Sequence, residues 1–148
     1  LSRVYLALAE GHWTNQSKSG LIDRPIEKVP ECFNRYQVAD TGRPSRTEYE
    51  VLSEFTYEET PFSLVRLKLQ TGRTHQIRVH MASLSHPLLG DSIYGHEGFL
   101  GFDRAALHSF EITCQLPGHQ DLAVFSSEMP EDFQKMIAKS INFSSTLI

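Results

Sequence analysis

Arg73, His75, Arg78, His80 and His86 crowd a stretch without acids: from Thr60 through Gly90 there is neither Asp nor Glu, and Arg66 and Lys68 lie just upstream. A guanidinium is a permanently charged planar fork that pairs with carboxylates or phosphates, and an ammonium adds a compact point charge. Clustered away from acids, these groups suit an anionic ligand or a carboxylate partner supplied from elsewhere. The plainer alternative is a set of solvated surface side chains.

The histidines invite a metal reading, but His75 and His80 are five residues apart, on different faces of a helix, and neither an HExxH spacing nor a cysteine pair supports them. No metal site is expected, and hydrogen-bonded structural histidines are the ordinary outcome. Ser85, His86 and Asp91 compose a hydrolase triad on paper, yet no nucleophile-elbow motif accompanies them. Tyr5 lies on the strand face opposite Val4, Leu6 and Leu8. Such an aromatic is either core packing or a platform for a base turned out of its stack.

Positioning these groups requires a scaffold, and alternation of apolar and polar residues marks its strands. Residues 3–9 read as a strand closed by Gly11, TEYEVLSEF as a half-exposed one, and SLVRLKLQ as the clearest of all, with Val65, Leu67 and Leu69 on one face and Arg66, Lys68 and Gln70 on the other. After the Thr71-Gly72 break, Thr74 is placed to cap a helix carrying Ile77, Met81 and Leu84 before Pro87. Phe110, Ile112, Cys114 and Leu116 alternate in a further strand, and residues 122–125 can return beside it as a hairpin. Pro130 as a first helical residue, Glu131 and Asp132 in the first turn, and the stripe Phe133, Met136, Ile137 and Ile141 predict a closing helix. Residues 12–46, punctuated by Gly20, Pro25, Pro30, Gly42 and Pro44, read as a long surface excursion. Together these elements predict an α+β domain around a mixed, mostly antiparallel β-sheet with a few flanking helices.

Composition sets the outer limits. With 148 residues, 40% hydrophobic and 22% charged, the chain matches ordinary globular usage and is long enough for one domain with a real core. No apolar run is long enough to span a bilayer, and no secretory signal opens the chain. Cys32 and Cys114 lie far apart without a CxxC spacing, so reduced thiols in a cytoplasmic protein are expected. The net charge of −4 argues mildly against nucleic acid. The acid-free stretch reverses that hint locally, and the acids are expected on outer faces.

Against this background, TGRTHQIRVHMASLSHPLLGDSIYG resembles the third motif of the RluA family of pseudouridine synthases, TGRTHQIRVHxxxxxHPxxGDxxYG. RVYLALAEG resembles the family's tyrosine-containing strand, GRPSRTEYEVL its GKPxxTEYxVL stretch, and RAALHSFEITCQLP its ALHAxxLxxxHP strand. Departures are small: Arg3 stands where the family often has Lys, and Leu116-Pro117 replaces His-Pro. GLIDRPIEKVP and TEYEVL look most like the branch acting on ribosomal RNA and a tRNA anticodon stem-loop.

The resemblance implies a pseudouridine synthase fold and an RNA-modifying isomerase that detaches uridine from its ribose at N1 and reattaches it through C5, without metal or organic cofactor. It implies that Tyr5 packs against the target base and helps remove the C5 proton, and that Arg78 holds the catalytic aspartate ionised and oriented. That aspartate belongs to an HRLDxxTSG motif, which this chain lacks. The expectation is therefore that residues 1–148 form a single domain, the C-terminal portion of the catalytic domain, with the upstream part removed by truncation or a split gene. Such a chain is expected to be inactive alone, with an Arg78 whose acid partner is not in this chain. Arg66, Lys68, Arg73, His75 and Gln76 are candidate phosphate or base contacts, and Ile112 a candidate for the pocket floor. The implied partner is RNA, from ribosomal RNA or a tRNA stem-loop, acted on by a full-length monomer. The competing reading is a catalytically silent RNA-binding module of the same fold.

Overall fold

Alternation gives the long strands two distinct faces, and the computed structural model, which describes residues 2–118 and 120–142, pairs them into one sheet. Along the chain the elements are β1 (Ser2–Glu10), β2 (Ser19–Asp23), β3 (Ile26–Lys28), β4 (Tyr36–Val38), β5 (Arg46–Tyr57), β6 (Thr60–Leu69), α1 (Gln76–Ser83), β7 (Leu107–Gln115), β8 (Leu122–Ser126), α2 (Glu131–Ala138) and β9 (Ile141–Asn142). The sheet runs β2-β5-β6-β1-β7-β8 with β9 added on β5, while β3 and β4 form a separate hairpin. Every described pair is antiparallel. An α+β fold built on an antiparallel sheet with two helices is thus what forms.

Strand β1 sits between β6 and β7 and divides the core in two. On one face Leu6 and Leu8 pack with Phe62 and Leu64 under Phe133 and Met136 of α2. On the other, Ala7 and Ala9 join Val65, Leu67 and Trp13 beneath Ile77 and Met81 of α1. Fully buried side chains such as Leu8 and Phe133 each contribute about 1.5–3 kcal/mol through removal of apolar surface from water. Cys32 and Cys114 are free thiols. No described helix is long and apolar enough to cross a membrane.

Residues 87–91 run back along β1. Glu10 N donates to Pro87 O at 2.8 Å and Leu89 N to Leu8 O at 2.9 Å. Gly90 then turns the chain with φ 74°, and a Cβ there would lie 2.5 Å from Arg104 O and 2.6 Å from Phe102 O. Only glycine combines that left-handed backbone with so close an approach.

Three expectations are corrected. Residues 12–46 are not irregular throughout: β2 pairs with β5, and β3 with β4. These strands are short, and of β2 only Ile22 is buried, so they leave little periodic signal. Thr74 does not cap α1, whose N-cap is His75 in the left-handed region (φ 56°, ψ 22°) without a side-chain cap. The closing helix starts after Pro130, its N-cap, and stops at Ala138. Ile141 consequently lies in β9, 64% exposed, outside the apolar stripe.

Candidate functional site

Strands β1, β6 and β7 and the loop leading into α1 enclose an open cleft of about 280 Å³. Tyr5, Leu69 and Leu107 contribute from the sheet and Ile77 from the helix, while Arg3, Arg73 and Arg78 bring charge to the rim. Among the described residues no carboxylate lines this space. An aromatic and aliphatic floor beneath guanidinium groups suits a flat, polar ring attached to an anionic group.

The loop is built around one amide. Gln76 is buried, and its Oε1 accepts from Thr71 Oγ1 at 2.8 Å and from Arg73 N at 3.0 Å. Its Nε2 donates to Arg46 O and to Thr47 Oγ1, both at 2.9 Å. From there a relay continues to His80, whose Nδ1 lies 2.8 Å from Thr47 Oγ1 and whose Nε2 donates to Arg24 O at 2.8 Å. A carbonyl can only accept, so the proton sits on Nε2 and the Thr47 hydroxyl donates to Nδ1. Burial pushes the His80 imidazole below its ordinary pKa. Gln76 thus has two donors and two acceptor sites committed to the turn.

Arg78 emerges from α1 half-buried, its side chain bonded to Asp91. Nε donates to Asp91 Oδ2 at 2.9 Å and NH2 to Asp91 Oδ1 at 2.8 Å. Asp91 is fully buried, and its Oδ1 also accepts from Ile93 N and Tyr94 N at 3.1 Å. Burial alone would raise this carboxyl, but Arg78 and the two amides hold it below its ordinary pKa. The pair likewise raises the guanidinium, chiefly through the hydrogen bonds to Asp91. NH1 of Arg78 has no hydrogen-bond partner among the described residues, so one edge of the fork remains available.

Tyr94 ties this pair to its surroundings. Its ring lies under Arg78 at 5.2 Å and under Arg35 at 5.6 Å. Its hydroxyl accepts from Tyr36 N at 2.9 Å and lies 2.7 Å from His75 Nδ1. Burial and the nearby Arg78 charge keep His75 below its ordinary pKa, favouring the neutral ring.

The structure brings Tyr5, Arg73, His75, Gln76 and Arg78 together. It separates the rest. Arg66 pairs with Leu6 and Lys68 with Val4, on the sheet face away from the cleft, and their partners on β5 are Glu50 and Glu48. The basic residues therefore do not form one strip, and the acid-free stretch meets acids across the ladder. Ile112 lines a different groove, with Phe125, while Leu107 takes the place beside Tyr5. Arg78 does have an acid in this chain, Asp91, and the acids are not all on outer faces, since Glu54 is also buried. His86 bonds Glu10 O and Gln16 rather than Ser85 or Asp91, which leaves the triad without its contacts. Asp91, Tyr94, Leu107 and Arg3 were the site residues that pattern missed. For Asp91 a signal existed: it is the first acid after the arginine-rich stretch, and it follows a glycine that turns the chain.

Residues 1–83 match the family model described as RNA pseudouridylate synthase. The chain is 35% identical over 145 residues to ribosomal large subunit pseudouridine synthase D of Nitrosomonas europaea, covering 93% of this chain and 40% of that protein. It is 40% identical over 136 residues to the RNA pseudouridine synthase YhcT of Bacillus subtilis, covering 92% and 43%. The chain thus spans less than half the length of these relatives. Among solved structures, human RNA pseudouridylate synthase domain containing 1 superposes with a TM-score of 0.75 at 29% identity, over 95% of this chain and 59% of that one.

Proposed function

Because the chain belongs to the RNA pseudouridylate synthase family, we propose that it provides the base-binding half of an enzyme that isomerises uridine to pseudouridine in structured RNA. The relatives named for the ribosomal large subunit favour ribosomal RNA, and a tRNA stem-loop is the second substrate class. The observation that carries this reading is the acid-free cleft, with Tyr5 on its floor and a clamped Arg78 on its rim.

Each side chain has a definite task in such a reaction. A uridine turned out of an RNA loop enters the cleft and lies against Tyr5. Asp91 fixes the Nε side of Arg78, and the open NH1 edge is free to hold a second carboxylate, the nucleophile, ionised and aligned. Asp91 itself is unsuited to attack, being buried with both oxygens engaged. With no carboxylate lining the cleft among the described residues, this reading takes the nucleophile from outside residues 1–148. Arg73 and His75 border the base, and Gln76 acts by shaping the turn.

A chimera in which this chain replaces the matching part of the Bacillus subtilis relative provides the test. Tritium release from C5-labelled uridine in RNA is expected from the chimera and not from the chain alone. The acid-free cleft also fits a silent RNA-binding module, for which the chain would bind RNA while the chimera released no tritium.

A further inference from the structure

The cleft does not end at the TGRT turn. Gly72 and Arg73 also line a second depression of about 390 Å³, whose opposite wall is the β3–β4 hairpin. Lys28 and Arg43 line it together with Arg73, Thr41 and Tyr36. Among the described residues one carboxylate lines it, Glu27, which accepts from the Thr41 hydroxyl and from Gln37 Nε2 at 3.3 Å. Arg73 uses Nε on Pro44 O at 3.2 Å, and its guanidinium has no bonded acid among the described residues.

This wall is held in place. Arg35 NH1 donates to Ile93 O at 2.9 Å, and Tyr36 N to the Tyr94 hydroxyl at 2.9 Å, so the hairpin is fastened to the network that holds Arg78. At its base Ile26 and Arg43 exchange backbone hydrogen bonds at 3.0 and 2.8 Å. Gly42 lies so close to Ile26 that a Cβ would meet its carbonyl carbon at 2.5 Å. Cations on a fixed surface cost less to order on binding than mobile ones.

We propose that this second depression is a subsite for the backbone phosphates that flank the nucleotide held against Tyr5, with Lys28, Arg43 and Arg73 as the contacts. The inference rests on the uridine-modifying reading of the cleft. A base cannot enter the cleft without carrying its own phosphodiesters to the rim, and the exposed, side-chain-free Gly72 lies on the path between the two spaces. Three cations from separate elements against the one carboxylate of Glu27 leave the lining net positive, which favours phosphate over a base edge or an apolar group. A pairing of phosphate contacts with an aromatic base platform is the arrangement expected for single-stranded RNA.

The 148-residue chain can be titrated with uridine, the nucleoside without a phosphate, which needs only the cleft, and with a fluorescent uridine-rich oligoribonucleotide, which needs both. Lys28→Ala with Arg43→Ala is expected to weaken the oligonucleotide about tenfold, to reduce the salt dependence of its affinity by roughly 1–2 in slope, and to leave uridine binding unchanged. Both side chains are exposed, and an unchanged thermal midpoint verifies the fold. Arg66→Ala with Lys68→Ala removes the same charge from the opposite sheet face and is expected to change neither ligand. Equal loss from the two double variants, or none from the first, overturns the subsite while the base cleft stands. Loss of uridine binding in the first variant overturns it too. Failure of the unaltered chain to bind either probe overturns the uridine reading and this inference with it.

Discussion

The Arg78 guanidinium meets the Asp91 carboxylate side-on, Nε to Oδ2 at 2.9 Å and NH2 to Oδ1 at 2.8 Å. Asp91 is fully buried and the Arg78 side chain is 20% exposed, so solvent screens the pair weakly. Removing one member of such a pair strands the other charge in a poor dielectric. Asp91→Asn is expected to lower stability by about 3 kcal/mol, read from urea unfolding. Arg78→Lys keeps the charge but loses the fork, and should recover only part of that difference. Equal stability of Asp91→Asn and the unaltered chain would show that the pair adds nothing to the fold.

A second prediction concerns Gln76, whose amide bonds Thr71, Arg73, Arg46 and Thr47. Gln76→Ala leaves these groups to find partners in a buried turn and should cost about 1–3 kcal/mol. Gln76→Glu keeps the size and the acceptor for the Arg73 amide but aims an oxygen at Arg46 O, and should not rescue stability. If Gln76 instead contacts ligand directly, both variants would fold as stably as the original and lose RNA affinity alone.

How far the sequence foretold these arrangements depends on the range of the interactions. Alternation in SLVRLKLQ and TEYEVL placed Val65, Leu67, Tyr49 and Val51 on one face correctly, because burial of one sheet face imposes period two on the chain. The same alternation sends Arg66 and Lys68 to the opposite face, and grouping them with Arg73 and Arg78 put nearness in the chain ahead of side-chain direction. Asp91 lies 13 residues beyond Arg78 and reaches it only because Gly90 reverses the chain, a relationship with no periodic signature. The β3–β4 hairpin, three residues per strand, was hidden for the same reason. Its fastening to Tyr94 is a tertiary fact.

The third prediction follows from the buried histidines. Burial lowers the pKa of His80 and His86, so the fold holds them neutral while the unfolded chain titrates near 6.5. Their contribution is complete above about pH 6.5 and is lost as pH falls through the lower folded values. Asp91 and Glu54 are also lowered in the fold, so their contributions persist above their ordinary 3.8 and 4.5 and are lost in stronger acid. The urea midpoint should therefore be flat between about pH 7 and 8, decline once the pH falls below about 6.5, and fall further below about pH 4.5. His80→Gln should remove part of the first decline. A midpoint that rose on acidification would reverse the assigned signs.

The last prediction separates the two parts of the cleft by kinetics, in the chimera with the Bacillus subtilis relative. Tyr5 sits on the floor, where its ring can support a base and its hydroxyl can serve proton removal at C5. Tyr5→Phe keeps the ring, so KM should stay within about twofold while kcat falls about a hundredfold. Tyr5→Ala removes the platform and should raise KM as well. Arg78→Ala acts differently, since it frees Asp91 from its partner and deprives an incoming carboxylate of the NH1 edge. Its kcat should fall at least as far as that of Tyr5→Phe, and the oligonucleotide affinity should change little, because phosphate contacts lie at Arg73 and beyond. Full turnover in Arg78→Ala would mean that the nucleophile is oriented by another cation, for which Arg3 and Arg73, on the same rim, are the alternatives.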